Sequence, residues 1–183
     1  MMKRIGIVAA VLAAVVQLGF TLSAHEPNFL VRFDGGIGVI PVQGVVAPAN
    51  LDGTFANVTR NIVRGINPGA GPWRIADLKA TVDKDGGIRV RGRGLLLAST
   101  DRIGQNANQS VFATLICEAT APFVARNTNI AGVPLSPEGD FRIDDVLSPA
   151  PLDCASPVLL IRNTGGVWFA AGIQKFHNDD DNN

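Results

Sequence analysis

Residues 76–93, which read ADLKATVDKDGGIRVRGR, decide the fold class. Apolar and polar side chains alternate along residues 76–82 and again along residues 88–93, and the turn-forming residues DKDGG lie between them. Strict alternation is typical of a half-buried strand, and glycine in the turn can adopt a positive φ. The stretch therefore predicts a β-hairpin with one apolar face. The opposite face carries charged side chains, namely Asp77, Lys79, Arg89, Arg91 and Arg93.

The same alternation constrains the register of this hairpin. A slip of one residue would place the apolar side chains opposite the charged ones. Pairing Val82 with Ile88 places Asp77 opposite Arg93, whereas a shift of two residues places Asp77 opposite Arg91.

The rest of the chain consists of short apolar segments separated by Gly and Pro, without a capped run of helical periodicity, which predicts an all-β protein. We expect a two-sheet sandwich of about eight or nine strands, with jelly-roll or immunoglobulin-like topology undecided and a barrel as the alternative. The segments predict strands near Phe29–Phe33, Ile37–Val46, Val58–Ile66, Trp73–Val82, Ile88–Ala98, Ser110–Glu118, Phe141–Val146, Val158–Arg162 and Val167–Ile173. Side chains expected in the core are Phe112, Leu115, Ile116, Leu160, Ile161, Trp168, Phe169 and Ala171, with Trp73 partly exposed.

Residues 1–24 have the three-part pattern of a secretory signal peptide. Lys3 and Arg4 precede the apolar run 5–16, and small residues end at Ala24, where we expect cleavage. An uncleaved anchor is the alternative, although the apolar run is shorter than the roughly 20 residues that cross a bilayer. The pattern predicts a secreted or periplasmic protein without a transmembrane segment in the mature chain. Residues 25–176 would form a single β domain, and residues 177–183 a disordered acidic tail.

Cys117 and Cys154 are the two cysteines of the chain. In an oxidising compartment we expect them to form one disulfide. The bridge would join the end of the strand that starts at Ser110 to the start of the strand near Val158. Closing a loop of about 38 residues would stabilise the fold by roughly 4 kcal/mol.

Few residues in the sequence could carry catalysis. The formal net charge is zero, and the two histidines, His25 and His177, lie near the ends of the predicted domain. The sequence contains neither a zinc motif nor a nucleophile motif, so we predict no metal site, no cofactor and no catalytic residue. The balanced charge also argues against nucleic-acid binding through a bulk positive field.

Two groups of residues remain as candidate sites. Arg89, Arg91 and Arg93 form a candidate anion-binding face. Asp34, Asp77 and Glu118 are candidate carboxylates of a cleft, as glycoside hydrolysis would need. The glycines after Asp34 lack nucleotide-binding spacing and predict a turn or bulge.

We therefore expect an exported, non-enzymatic interaction or structural module. Its partner is not specified by the sequence and would be an envelope or extracellular protein or polymer. The alternatives are a small-ligand-binding protein with its site in the β domain and a carboxylate-dependent hydrolase.

Overall fold

A computed structural model describes residues 29–176. This range contains thirteen β-strands and no helix. The strands are β1 (Phe29–Gly38), β2 (Val42–Ala49), β3 (Phe55–Arg60), β4 (Trp73–Arg74), β5 (Asp77–Asp83), β6 (Gly87–Arg93), β7 (Leu96–Leu97), β8 (Ser110–Ile116), β9 (Arg126–Asn127), β10 (Val133–Pro134), β11 (Phe141–Val146), β12 (Val158–Asn163) and β13 (Trp168–Lys175). The predicted leader and acidic tail lie outside the described residues, as do both histidines.

Nine of the strands that the structure describes form one antiparallel sheet, in the order β10-β8-β12-β13-β1-β5-β6-β11, with β9 also paired to β8. The two ends of this sheet approach each other. Asn127 of β9 and Ser148, just beyond β11, exchange two backbone hydrogen bonds of 3.0 and 2.8 Å. The sheet is thus nearly closed and barrel-like, which is the alternative that the sequence left beside a sandwich, and the all-β class is confirmed.

The hairpin of β5 and β6 has the first of the two registers that the sequence allowed. Val82 lies opposite Ile88, and Asp77 lies opposite Arg93. The apolar side chains of β5 and β6 point into the sheet interior, where Leu78 and Val82 are fully buried. Their charged neighbours therefore face outward.

The interior is filled by large aliphatic and aromatic side chains that form one core. Of the expected core residues, seven are buried, and Ala171 is partly buried. The expectation of a partly exposed Trp73 is wrong, because its ring stacks on Phe169 at 4.0 Å between centroids and is 95% buried. The predicted disulfide is present between Cys117 and Cys154, and it joins β8 to the segment that leads into β12.

The predicted strand Ile37–Val46 does not exist as one element. Instead, β1 continues to Gly38, and its register with β13 shifts between Phe33 and Gly36, so the predicted irregularity after Asp34 is a bulge. Gly35 adopts a φ of +97°, and any Cβ at Gly38 would collide with the carbonyl of Trp73. The chain then leaves the main sheet, and β2 and β3 form a separate two-stranded sheet.

Candidate functional site

The outer surface of β13, β1, β5, β6 and β11 carries a concentration of positive charge. Its side chains face outward because they alternate with buried apolar residues such as Phe33, Ala80, Val90 and Ile143. The pleat of each strand, and not a loop, therefore fixes where each charge stands.

Register aligns these outward side chains in two rows across the strands. One row runs Asp34, Lys79, Arg91 and Arg142. The other runs Lys175, Arg32, Thr81, Arg89 and Asp144. Three pairs of directly opposed side chains carry like charge, namely Lys79 with Arg91, Arg91 with Arg142, and Arg32 with Lys175.

These rows enclose an open groove of about 410 Å³, which we call the basic groove. Its charged lining residues are Arg32, Asp34, Lys79, Arg89, Arg91, Arg142 and Lys175. Six cations and one carboxylate give this lining a formal charge of +5. A chain whose total formal charge is zero thus places a strong positive field on one surface.

Only part of this charge is compensated by acidic neighbours. Lys79 Nζ lies 3.6 Å from Asp34, Arg89 Nη2 lies 3.0 Å from Asp83, and Arg142 Nη2 lies 3.6 Å from Asp144. The Arg32 guanidinium stands over the Phe29 ring at 3.9 Å. Within residues 29–176, no ion pair or hydrogen bond engages the side chain of Arg91 or Lys175.

The predicted anion-binding face contributes to this site in part. Arg89 and Arg91 line the basic groove. Arg93 lies beyond it, in an adjoining depression of about 330 Å³ that Arg91 and Arg142 also line. Arg91 and Arg142 therefore border both depressions, and the positive surface continues from one to the other.

The sequence places Lys79 on the charged face of the hairpin without making it a site residue, and it does not point to the other three cations of the basic groove, Arg32, Arg142 and Lys175. A local signal existed for Arg32 and Arg142, since each occupies an outward position in an alternating strand. What one sequence does not contain is the strand order, which brings β11 and β13 to the same surface as β6.

The three candidate carboxylates lie in different surroundings. Asp34 lines the basic groove beside Lys79, and Asp77 lies on β5 opposite Arg93. Glu118 lies beyond β8 and forms an ion pair of 2.8 Å with Arg126. Neither Asp77 nor Glu118 is part of the lining that contains Asp34.

Glu118, just beyond the end of β8, holds the loop 118–126 in place through side-chain hydrogen bonds. Its carboxylate accepts hydrogen bonds from the Arg126 guanidinium at 2.8 Å and from the Val124 backbone N–H at 3.1 Å. These bonds, chiefly the one from Arg126, lower the pKa of Glu118 to about 2. A carboxyl group that is ionised so completely at neutral pH is poorly suited to act as a general acid.

A second depression, of about 420 Å³, lies at one end of the sheet beside the stacked rings of Trp73 and Phe169. Several polar groups on its wall already have partners within the chain. Asn163 Nδ2 donates to Gln109 Oε1, and Arg60 Nη2 donates to the Pro68 carbonyl. This depression therefore offers a ligand fewer available polar groups than the basic groove.

Among residues 29–176, no group of three or more His, Cys, Asp and Glu side chains could hold a metal ion. The same range has no helix long and apolar enough to cross a membrane. Comparisons of the chain with protein-family models, with curated proteins and with solved structures find no significant match.

Proposed function

We propose that this chain is an exported, non-enzymatic binding module whose basic groove holds an extended acidic polymer of the cell envelope or its surroundings. One observation carries the proposal: Lys79, Arg91 and Arg142 stand directly beside one another on three neighbouring strands.

Folding alone does not favour this row of cations. Like charges directly opposite each other on antiparallel strands destabilise a sheet, whereas opposite charges there contribute about 0.2–1 kcal/mol of stability. An anionic ligand would remove the repulsion and gain from the same charges. We therefore interpret these cations as a binding site, and an anion bound there would stabilise the folded protein.

The chemistry of the groove suits carboxylate or phosphate groups. Four of its six cations are arginines, whose planar guanidinium forks bind such groups through two parallel hydrogen bonds. The groove is open along its length, so a chain could enter it from the side. Five neighbouring strands at about 4.8 Å spacing span roughly 19 Å, which accommodates several anionic groups in succession.

The composition of the groove favours an acidic polymer over a nucleic acid. Single-stranded nucleic acids bind largely by stacking their bases on exposed aromatic rings. The aromatic side chain in the groove lining is Phe33, which is 98% buried. We therefore retain the expectation that nucleic acid is not the ligand.

Export is part of the proposal. The Cys117–Cys154 disulfide supports it, since structural disulfides persist in oxidising compartments and are rare in reducing ones. The signal-peptide pattern of residues 1–24 points the same way. An acidic envelope polymer would be present in that location.

A titration with four probes tests the proposal. We expect polygalacturonate and polyphosphate to bind, with an affinity that decreases steeply as salt rises, and neutral dextran not to bind. Single-stranded DNA should bind more weakly than polygalacturonate at equal charge. Binding of dextran equal to that of polygalacturonate, or tighter binding of DNA, would show that the assigned ligand class is wrong.

A further inference from the structure

Residues 40–62 form a hairpin arm that stands apart from the main sheet. Strands β2 and β3 pair with each other alone. Every residue from 42 to 60 is exposed except Gly44, which is half-buried. The base of the arm is held by Asn61, whose backbone N–H donates to the Pro41 carbonyl and whose side chain donates to the Ile40 carbonyl.

This arm exposes an unusual amount of apolar surface. Between residues 29 and 176, seventeen large hydrophobic residues are exposed, and eight of them lie in these 23 residues. They are Ile40, Val42, Val45, Val46, Leu51, Phe55, Val58 and Ile62. Such a concentration of exposed apolar side chains is typical of an interaction site.

Cross-strand pairing sorts the side chains of the arm into two faces. Val42 opposes Arg60, and Val45 opposes Val58, so these share one face with Ala56. Gly44 opposes Thr59, and Val46 opposes Asn57, so these form the other face with Phe55. The paired residues of the first face are apolar up to Arg60 at its base, whereas those of the second include the polar residues Asn57 and Thr59.

An isolated two-stranded hairpin is at best marginally stable in water. Nothing in the part of the chain that the structure describes covers the apolar face of this arm. The face would gain stability by packing against a second apolar surface.

We propose that this face packs against the same face of a second copy of the chain, with the two arms antiparallel. The charges on the arm are complementary in that arrangement. Its charged residues are Asp52 at the tip and Arg60 at the base, so a two-fold axis through the middle brings each Asp52 to the partner copy's base. This inference does not depend on the proposed ligand of the basic groove.

A further feature favours a second copy over a lipid surface. The tip of the arm is polar, because the Asp52 carboxylate accepts hydrogen bonds from the Thr54 hydroxyl and backbone N–H, at 2.6 and 3.0 Å. Inserting this charged turn into hydrocarbon would be unfavourable.

The experiment measures self-association of the purified protein by sedimentation velocity, and compares Val58→Asp with Asn57→Asp. Both substitutions add one negative charge to β3, at neighbouring positions on opposite faces. We expect the wild type to dimerise. Val58→Asp should raise the dimer dissociation constant by at least about tenfold, and Asn57→Asp should change it by less than about threefold. Circular dichroism checks that both variants remain folded.

Charge reversal tests the antiparallel arrangement independently. Asp52→Lys and Arg60→Glu should each weaken the dimer, and the double variant should recover part of the loss. A wild type that stays monomeric at about 100 µM, equal effects of the two β3 substitutions, or losses at Asp52 and Arg60 that simply add would overturn the proposal. Binding of a monomeric wild type to phosphatidylcholine vesicles, lost in Val58→Asp, would also overturn it and assign the face to lipid.

Discussion

Arg91 and Arg142 stand directly opposite each other on the antiparallel strands β6 and β11, and both side chains are exposed on the outer face of the sheet. Lys79 stands on the other side of Arg91. The fold therefore holds like charges together at the centre of the basic groove. The charge of Arg91 lowers the stability of the sheet, and the same charge would favour the binding of an anion.

The first prediction is that Arg91→Gln stabilises the fold while it weakens binding. Removing the central charge relieves repulsion with both Lys79 and Arg142, so the free energy of unfolding should rise by about 0.5 kcal/mol. Urea denaturation measures this change, and titration with polygalacturonate measures the loss of affinity. A destabilised variant with unchanged affinity would show that Arg91 has a structural role instead.

The second prediction concerns the acidic residues Asp179, Asp180 and Asp181. Asp179 follows Lys175, which lines the basic groove, by four residues in the sequence. At 0.01 M salt the screening length is about 30 Å, so these carboxylates should reduce the positive potential of the groove.

Replacing all three with Asn should therefore raise the affinity for polygalacturonate severalfold at low salt, and the gain should disappear at high salt. The control removes the same charge elsewhere, as Asp101→Asn, Glu138→Gln and Asp153→Asn together. An equal gain in this control would mean that net charge, and not the position of the tail, governs affinity.

The third prediction concerns acid stability. The folded-state pKa of Glu118 is lowered from 4.5 to about 2, so the unfolded chain binds the proton more readily. The ion pair with Arg126 therefore contributes its full stability above about pH 4.5 and loses it as the pH falls towards 2.

Glu118→Gln should lower the free energy of unfolding by about 1 kcal/mol at pH 7, and the difference from the wild type should shrink towards pH 2. Urea denaturation across this pH range measures the difference, with Glu138→Gln as the control at an exposed glutamate. A difference that stays constant with pH would mean that the ionised carboxylate is not what stabilises the loop.

The fourth prediction tests the packing of β6 against β11 beneath the depression that adjoins the basic groove. Phe141 lies opposite Gly92, and its ring would stand 2.1 Å from a Cβ built at that glycine. Gly92→Ala should therefore destabilise the fold by about 1–3 kcal/mol through overpacking. A second substitution, Phe141→Leu, should make the alanine less damaging.

Gly44→Ala provides the matched control, because a Cβ at that strand glycine would contact nothing within 4 Å. Its effect on thermal unfolding should be small. Equal destabilisation at the two glycines would indicate a general effect of glycine replacement instead of the collision with Phe141.

Much of the local structure is predictable from the sequence, because alternation and turn chemistry act between neighbouring residues. Alternation limits the partner of Asp77 to Arg93 or Arg91, and the glycines after Asp34 predict a turn or bulge; the structure has Arg93 and a bulge. The Cys117–Cys154 disulfide is predicted on another ground, the presence of two cysteines behind an export signal. The near closure of the sheet has no local signal, since it depends on the two-residue strands β9 and β10 and on a bridge between Asn127 and Ser148. Elements of that size have no periodicity to detect.

Only the part of the candidate site that lies on a single strand was predictable from the sequence. Arg89 and Arg91 stand out in β6, but Arg142 and Lys175 come from distant parts of the chain and join them through strand order. Likewise, Glu118 holds its loop through hydrogen bonds from Arg126 and Val124. These contacts depend on how the loop folds, which the sequence pattern does not indicate.

The central claim is that the basic groove, and not positive charge in general, binds an acidic polymer. The most direct measurement compares the affinity of Arg91→Gln/Arg142→Gln for polygalacturonate with that of Arg74→Gln/Arg102→Gln, by isothermal titration calorimetry. Each pair removes two exposed arginines, and only the first pair lines the groove. We predict that the first variant loses at least about tenfold in affinity and that the second loses less than about twofold. Equal losses in the two variants would contradict the assignment of the site.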